Sequence, residues 1–378
     1  MLKLPDFPWD SLAPYRERAS AVSGSLPGAG VVDLSVGTPV DPTPAVVQDA
    51  LRAAADAPGY PQTWGTTDLR QAVAAWFARR RGVPGLDPAA VLPTIGSKEL
   101  VAWLPTLLGL GPGDIVGFPG IAYPTYDVGA RLAGAEPAVV DGLAALGPLT
   151  PRTTPKLLWL NSPGNPTGKV LGVGHLAKVV QWARRHGVVV ASDECYAELD
   201  WREGSGAAGE PPTTPSILDP RVTGGSHDGL LAVYSLSKQS NLAGYRAAFV
   251  AGDPELVGRL LEVRKHAGMI MPGPVQQAMT AALGDDSHVV EQKQRYRSRR
   301  DLLRPALEGA GFRIDDSEAG LYLWSTRGED SWATLGWLAD RGILAAPGTF
   351  YGAAGAQHVR IALTASDERV GAAVERLR

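Results

Sequence analysis

The feature that most constrains the fold is a series of short apolar runs separated by amphipathic stretches. Continuous runs of valine, leucine and alanine are typical of strands buried on both faces, because a strand with one wet face alternates apolar and polar residues. Three such runs are Leu157–Asn161, Val188–Ser192 and Leu230–Ser235. The segments Ala122–Leu132 and His175–His186 between them have helical spacing. The pattern predicts an α/β fold in which helices cover both faces of a mostly parallel sheet.

The length of the chain and a change of pattern near residue 284 predict two domains. With 378 residues, the chain exceeds the size that one hydrophobic core usually organises. We expect residues 45–283 to form a large α/β domain, and residues 1–44 and 284–378 to form an N-terminal arm and a small α+β domain. Arg202–His227 is rich in glycine, proline, serine and threonine and predicts a surface excursion between strands. The remaining predicted strands are Ile115–Phe118, Pro137–Val140, Ala247–Ala251, Phe312–Ile314, Leu321–Trp324 and His358–Leu363.

Composition and charge argue against several kinds of partner. A formal net charge of −3 provides no long-range attraction to nucleic acid or to an anionic membrane surface. No apolar stretch has membrane-spanning length, and the first residues lack the apolar core of a signal peptide. Cys195 is the one cysteine, which rules out an internal disulfide and favours a reducing compartment. We therefore expect a cytoplasmic protein that binds neither nucleic acid nor membrane, and we expect no metal.

Lys238 follows the run that ends at Ser235, so its amine should lie just beyond the end of a buried strand. The same segment contains Ser237 and, eight residues after the lysine, Arg246. A lysine amine can form a Schiff base with a carbonyl cofactor, while hydroxyl groups and an arginine hold a phosphate. For an isolated lysine, a solvated side chain with a surface ion pair is the simpler interpretation.

Further segments have polar or aromatic residues after predicted strands, where open α/β sheets bind ligands. Tyr123 can stack on a flat ring, although core packing would also explain it. Asn165 lies in a turn after Leu157–Asn161 and can donate a hydrogen bond. Asp193 ends the next strand, where a buried carboxylate is costly unless it meets a cation, and where a helix cap is the simpler alternative.

Two more patterns predict anion sites. Ser97 and Lys98 precede apolar residues at helical spacing, so a helix should begin at Ser97. The free N–H groups of a helix start can bind phosphate, although an ordinary cap explains the same residues. Arg360 lies inside an apolar strand pattern, where an arginine is costly unless its planar fork meets a carboxylate or a similar anion.

Together these motifs resemble those of class I/II aminotransferases of fold type I, which use pyridoxal 5'-phosphate (PLP). The resemblance extends over nearly the whole chain and is most specific in the stretch Ser235–Arg246. It implies catalytic roles for Lys238, Asp193 and Tyr196, and substrate contacts from Gly37, Asn165 and Arg360. The residues that match the family's cofactor-binding positions are Tyr60, Ser97, Lys98, Tyr123, Asn165, Asp193, Tyr196, Ser235, Ser237, Lys238 and Arg246.

The resemblance also implies what several of these residues do. Lys238 would carry PLP as a Schiff base and then move a proton at the α-carbon of the amino acid. Asp193 would keep the ring nitrogen protonated, while Asn165 and Tyr196 would bond the phenolic oxygen of the cofactor. Tyr60 would reach the phosphate bound by a partner subunit, which implies a homodimer with shared active sites.

The substrate is predicted from a narrower resemblance. The stretches Val36–Pro44, Gly96–Leu100 and Arg264–Gly268 are similar to those of actinobacterial N-succinyldiaminopimelate aminotransferases of lysine biosynthesis. That family uses amino-acid and 2-oxo-acid substrates, with glutamate as donor and an N-succinylated 2-amino-6-oxo acid as acceptor. Aspartate, aromatic and methionine aminotransferases remain alternatives, as does a PLP-dependent carbon–sulfur β-lyase, because all need the same cofactor residues.

Other interpretations rest on single motifs. Ser235–Lys238 also fits the S-x-x-K of serine acylases, but the companion motifs S-D-N and K-T-G do not occur. Gly164–Lys169 fails the phosphate-loop pattern, because three residues rather than four separate its glycines. A cofactor-free binding protein on the same fold would be expected to lack the lysine, the aspartate or the arginine of the site, and all three occur.

Overall fold

The structure is a computed structural model that describes residues 4–146, 150–202 and 214–378. The helices in these residues are α1 (Ala13–Ser23), α2 (Ala45–Ala53), α3 (Thr67–Arg81), α4 (Ser97–Leu107), α5 (Thr125–Leu132), α6 (Val173–His186), α7 (Pro220–Thr223), α8 (Leu236–Gln239), α9 (Pro254–Ala267), α10 (Gly273–Gly284), α11 (Ser287–Gly309), α12 (Ser331–Ala339) and α13 (Asp367–Leu377). The strands are β1 (Val32–Asp33), β2 (Val91–Ile95), β3 (Ile115–Phe118), β4 (Glu136–Val139), β5 (Leu157–Asn161), β6 (Val189–Asp193), β7 (Leu230–Ser235), β8 (Ala247–Gly252), β9 (Arg313–Asp315), β10 (Tyr322–Thr326), β11 (Ile343–Leu344), β12 (Ala346–Pro347) and β13 (Val359–Ala362). Among these residues no helix is both long and apolar enough to cross a membrane.

A seven-stranded sheet forms the centre of the molecule, in the order β2-β8-β7-β6-β5-β3-β4. The strands from β7 to β4 run parallel, whereas β8 is antiparallel to β7 and to β2. The predicted α/β fold with a mostly parallel sheet is confirmed. Asn161 pairs in register with Asp193, and Val233 pairs with Asp193 from the other side. The carboxyl ends of β5, β6 and β7 therefore meet at one edge of the sheet.

Helices cover both faces of this sheet, so its central strands are buried on both faces. Alternate side chains of a strand point in opposite directions, so each strand contributes to two cores. On one face, Leu158 packs with Trp76 of α3 and its neighbours. On the other face, Trp159 packs with Leu100 of α4 and with Tyr126 of α5. The helices that carry the phosphate and ring contacts predicted from the sequence are thus fixed on the second face.

A second sheet has the antiparallel order β12-β13-β10-β9 and packs against α1, α11, α12 and α13 around a separate core. Near it, β1 pairs in parallel with β11, which joins the N-terminal segment to the C-terminal part of the chain. We propose on this basis that the domain boundaries lie near residues 44 and 284. The division into residues 45–283, 1–44 and 284–378 stays a prediction.

The segment predicted as a surface excursion differs from the prediction where it is described. Residues 203–213 lie outside the described residues. Beyond them, Ser216 and Ile217 are fully buried and bond to the Glu194 carboxylate, at 3.2 Å from the serine hydroxyl and 2.7 Å from the isoleucine N–H. A buried carboxylate needs donors, and this part of the chain is drawn inside to supply them. For these residues the prediction of a surface position is wrong.

Candidate active site

Lys238 lies in the short helix α8, immediately after β7. Its side chain is half-buried, and its ammonium Nζ donates a hydrogen bond of 2.5 Å to the carbonyl oxygen of Gly37. Burial lowers the pKa of the amine, Tyr322 and Cys195 act in the opposite direction, and Arg360 and Arg246 lower it further. A lysine with a lowered pKa has a larger neutral fraction near pH 7, which is the reactive form of an amine.

Asp193 ends β6 and is buried. Its Oδ2 accepts a hydrogen bond of 3.0 Å from the Tyr126 hydroxyl, and its Oδ1 accepts one of 3.2 Å from the Cys195 backbone N–H. Burial raises the pKa of the carboxyl above its ordinary value, although these donors lower it in part. In the described residues it has no cationic partner. Such a carboxylate can hold a cationic group that enters the site.

Glu194, next to Asp193, is directed to the opposite side of the segment. It forms an ion pair of 3.1 Å with Arg81 at the end of α3, and the two side chains are 1% and 0% exposed. Glu198 forms a second pair, at 2.7 Å, with Arg80. These contacts bind the chain that follows Asp193 to α3, so the backbone around the aspartate is held from outside the site.

The start of α4 faces the Arg246 guanidinium. Gly96 has a φ of +82° and precedes the helix, and a methyl group on it would collide with the Arg246 guanidinium group. Arg246 itself has a φ of 55° and donates 2.8 Å to the Ala243 carbonyl oxygen. Ser97 opens the helix as predicted. The helix end and the guanidinium together can bind an anion.

The hydroxyls of Ser235 and Ser237 lie at the end of β7 and bond to each other at 2.8 Å. Both residues are buried, and Ser235 also caps α8 by accepting from the Ser237 N–H at 3.2 Å. The sequence pattern Ser-x-Ser-Lys thus forms a closed turn that determines the direction of Lys238.

Arg360 comes from β13 and is buried between aromatic rings. Its Cζ lies 3.9 Å from the centre of the Tyr322 ring and 5.0 Å from that of Tyr351. It donates hydrogen bonds of 3.0 Å to the Asn165 side-chain oxygen and 2.6 Å to the Ser35 carbonyl oxygen. Its buried Nε has no hydrogen-bond partner in the described residues. Its partners there are neutral, so an anion bound beside it would meet an uncompensated positive charge.

The hydroxyl groups of Tyr196 and Tyr322 form a hydrogen bond of 3.2 Å. Gly37 lies against them, since a Cβ added there would collide with the Tyr322 hydroxyl and lie 2.8 Å from its Cζ. Only a glycine fits at this position. Asn165, which follows β5, is buried, and its N–H donates 2.7 Å to the Asn161 side chain. Residues from both sheets and from the N-terminal segment therefore meet here.

Two predicted residues stand apart from these contacts, and a third, Tyr123, lies beside them. The Tyr123 ring lies 6.0 Å from that of Tyr126, in an edge-on arrangement, and burial raises the pKa of its hydroxyl to about 12. The Lys98 side chain is exposed, with its ammonium group 5.5 Å from the Phe7 ring centre. Tyr60 is fully exposed. The structure thus brings neither the Lys98 side chain nor Tyr60 to the other site residues of the same chain.

The sequence predicts no role for three aromatic residues of the site: Tyr126, Tyr322 and Tyr351. Tyr126 stands in the same short motif as Tyr123, so its position after β3 was a usable signal. Tyr322 and Tyr351 come from the C-terminal part of the chain, and no local pattern distinguishes them from core tyrosines.

Comparison with known proteins identifies the family. The model of the family described as "Aminotransferase class I and II" matches residues 29–377. A probable aminotransferase of Mycobacterium tuberculosis is 61% identical over 374 residues, which cover 99% of this chain and 85% of that protein. The 4-dedimethylamino-4-oxo-anhydrotetracycline transaminase OxyQ of Streptomyces rimosus is 58% identical over 377 residues and 100% of both chains. A solved structure of a probable N-succinyldiaminopimelate aminotransferase from Thermus thermophilus is 30% identical, with a TM-score of 0.82 over 98% of this chain and 99% of that one.

The matched region includes both sheets and every residue of the site described above. Members of this family use PLP and act on amino acids and 2-oxo acids, and the fold of this chain is that of its solved relatives. The chain therefore belongs to the class I and II aminotransferases and is a PLP-dependent enzyme.

Proposed function

We propose that PLP binds at the carboxyl ends of β5, β6 and β7, with Lys238 as its covalent attachment point. The uncompensated Asp193 carboxylate fits a protonated ring nitrogen, and the start of α4 together with the adjacent Arg246 guanidinium fits a phosphate. Bound PLP supplies the electron sink that makes the α-hydrogen of an amino acid acidic. The residues that we propose to hold it are Tyr60 of a second subunit, Ser97, Lys98, Tyr123, Asn165, Asp193, Tyr196, Ser235, Ser237, Lys238 and Arg246.

The proposal for the substrate rests on the buried positive charge of Arg360. The residue is 3% exposed, and its guanidinium is held between aromatic rings and bonds only to neutral oxygens of Asn165 and Ser35 in the described residues. Burying such a charge is costly unless an anion binds to it. The α-carboxylate of an amino acid matches this need, since it can accept two parallel hydrogen bonds from a guanidinium.

Lys238 is the group that we propose to take the α-proton. Its neutral fraction is raised because burial lowers the pKa of its amine. The hydrogen bond to the Gly37 carbonyl holds Nζ on the side of the N-terminal segment, which also carries Ser35 beside Arg360. We propose that Gly37 contacts the substrate through its backbone, because no side chain fits there.

We further propose that the reaction is transamination between N-succinyl-L,L-2,6-diaminopimelate and 2-oxoglutarate, a step of lysine and diaminopimelate synthesis. The support is the resemblance of three sequence stretches to that group and the likeness to a Thermus thermophilus structure titled as a probable N-succinyldiaminopimelate aminotransferase. A second candidate is favoured by the full-length similarity to OxyQ, whose name describes a transaminase of 4-dedimethylamino-4-oxo-anhydrotetracycline. The proposal for the acceptor is thus a choice between an acyclic keto acid and a polycyclic ketone.

We also propose that the protein is a homodimer and is located in the cytoplasm. The Tyr60 side chain is fully exposed in the single chain. Contact with the active site of a second copy would bury it. One free cysteine, Cys195, supports a reducing compartment, and it is buried.

The experiment tests a set of amino donors on the purified enzyme loaded with PLP. We expect glutamate to form from 2-oxoglutarate with N-succinyl-L,L-diaminopimelate, and not with aspartate, tyrosine, methionine or the diamino acid that lacks the succinyl group. Amination of 4-dedimethylamino-4-oxo-anhydrotetracycline with glutamate as the amino donor, and no reaction of N-succinyl-L,L-diaminopimelate, would favour the second candidate. Release of pyruvate and ammonia from cystathionine would show a lyase and contradict transamination.

Lys238→Ala tests the attachment point separately from the substrate. The variant should lose turnover with every donor, because it lacks the amine that takes the α-proton. After borohydride treatment the cofactor should stay covalently attached to the wild-type enzyme and be removable from the variant. Near-normal transamination by Lys238→Ala would contradict the proposal.

A further inference from the structure

Tyr322 has a hydroxyl group at the centre of the site, although its strand belongs to the second sheet. The residue is 3% exposed and stacks its ring on the Arg360 guanidinium at 3.9 Å. Its hydroxyl lies 3.2 Å from that of Tyr196 and in direct contact with Gly37. The Gly37 carbonyl in turn accepts the hydrogen bond from Lys238. Tyr322 thus contacts Tyr196 and Gly37, which lie next to Lys238. The function proposed above gives it no role.

The direction of the hydrogen bond between the two tyrosines follows from their surroundings. Burial opposes ionisation of Tyr322, but the charges of Arg360 and Lys238, together with the hydrogen bond to Tyr196, outweigh it and lower the pKa of its hydroxyl. Burial raises the pKa of Tyr196 well above its ordinary value, and Tyr322 raises it further. Either hydroxyl can donate across this contact of 3.2 Å. The Arg360 charge stacked on the Tyr322 ring at 3.9 Å favours Tyr322 as the donor and Tyr196 as the acceptor. The Tyr196 proton is then free to be donated elsewhere.

We propose that Tyr322 is a positioning residue that donates to Tyr196 and thereby strengthens the hydrogen bond from Tyr196 to the phenolic oxygen of PLP. The inference rests on the proposed contact between Tyr196 and that oxygen. Hydrogen bonds in a chain polarise one another, so a hydroxyl that accepts one bond donates a stronger one. Arg360 increases the effect because its charge polarises the first hydroxyl of the chain.

The consequence concerns a proton shared between the phenolic oxygen and the nitrogen of Lys238. A stronger bond from Tyr196 draws negative charge away from the oxygen, which then holds this proton less firmly. Loss of the Tyr322 hydroxyl should therefore raise the pH at which the visible absorption band of the loaded enzyme titrates. A neutral hydrogen bond contributes little net free energy, so we expect a rise of about half a pH unit.

The test is a double-mutant cycle on the loaded enzyme, with the titration midpoint of the visible band as readout. It compares wild type, Tyr322→Phe, Tyr196→Phe and the double variant. We expect Tyr322→Phe to raise the midpoint in the wild-type background and to leave it unchanged in the Tyr196→Phe background. Tyr351→Phe is the matched control, because its ring also faces Arg360 while its hydroxyl has no hydrogen-bond partner in the described residues. Its midpoint should equal that of wild type.

Three results would overturn the inference: an unchanged midpoint in Tyr322→Phe, an equal rise in Tyr351→Phe, or a rise that persists without the Tyr196 hydroxyl. Tyr322→Leu also removes the hydroxyl and provides a second variant should the first unfold; its rise must likewise disappear in the Tyr196→Phe background. A wild-type enzyme that binds PLP without a titrating band would instead contradict the proposed attachment to Lys238. The two failures are therefore distinguishable.

Discussion

Asp193 illustrates how the site depends on single hydrogen bonds. The carboxylate is buried, and the Tyr126 hydroxyl is one of the donors that oppose the rise of its pKa. Tyr126→Phe removes that donor, so the pKa of Asp193 should rise further. Because the charged carboxylate is the form that binds a cation, the acid limb of the pH profile of kcat/KM should move to higher pH. We expect a shift of about one pH unit, measured with a fixed amino donor.

Tyr234→Phe is a suitable control for this shift. Tyr234 is also buried, but its hydroxyl donates 2.6 Å to the Gln239 side chain and not to Asp193. The control variant should lose stability to a similar extent and leave the acid limb where it is. An unmoved acid limb in Tyr126→Phe, or an equal movement in both variants, would show that Tyr126 does not control the charge of Asp193.

The site residues that are predictable from the sequence and those that are not differ in one physical respect. Asp193 ends a strand of the parallel sheet, and Lys238 and Asn165 lie within a few residues of the ends of two others, so strand prediction alone brings them to a common edge. Tyr322 lies in another sheet, and its hydroxyl faces the site only because that sheet packs over this edge. A role that depends on packing between distant segments leaves no local pattern, and the roles of all these residues remain proposals.

At the scale of elements, the contact between α3 and the segment after β6 supports the site from outside. Arg81 and Glu194 form this contact with 0% and 1% of their side chains exposed. Arg81→Met would leave the carboxylate buried with only the donors from Ser216 and Ile217. Removing one partner of a buried pair is strongly destabilising, so we expect a loss of about 3 kcal/mol in the free energy of unfolding, measured with urea.

Two variants separate the ion pair from a general effect of losing an arginine. Arg131→Met breaks a pair with Asp127 whose side chains are 46% and 27% exposed, and it should cost less than about 1 kcal/mol. Adding Glu194→Gln to Arg81→Met removes the unpaired charge and should recover part of the stability. Equal losses in Arg81→Met and Arg131→Met would mean that burial of the first pair has no special importance.

The strands show which elements are predictable from the sequence. The bounds of β3, β5 and β7 agree with the prediction, because continuous apolar runs between turn residues have few alternatives. The strand β2 was missed. It contains Pro93, which cannot donate in a ladder, and such a residue argues against a central strand. Its position at the sheet edge, paired only with β8, is what makes the proline acceptable.

For the whole molecule, the open issue is whether one chain contains a complete active site. The exposed Tyr60 has no place in the site of its own chain, whereas Lys238 lies at the centre of it. If two copies share their sites, each site combines Lys238 of one subunit with Tyr60 of the other. A closed dimer with two-fold symmetry makes this exchange reciprocal.

Subunit mixing tests this arrangement directly. Lys238→Ala and Tyr60→Ala, each weakly active or inactive alone, are unfolded together in equal amounts and refolded. About half of the dimers are then mixed, and each mixed dimer has one intact site, so activity should reach about a quarter of the wild-type level. Refolding each variant alone provides the control and should restore nothing. If Tyr60 instead acts within its own chain, the mixture has no intact site and stays at the level of the separate variants.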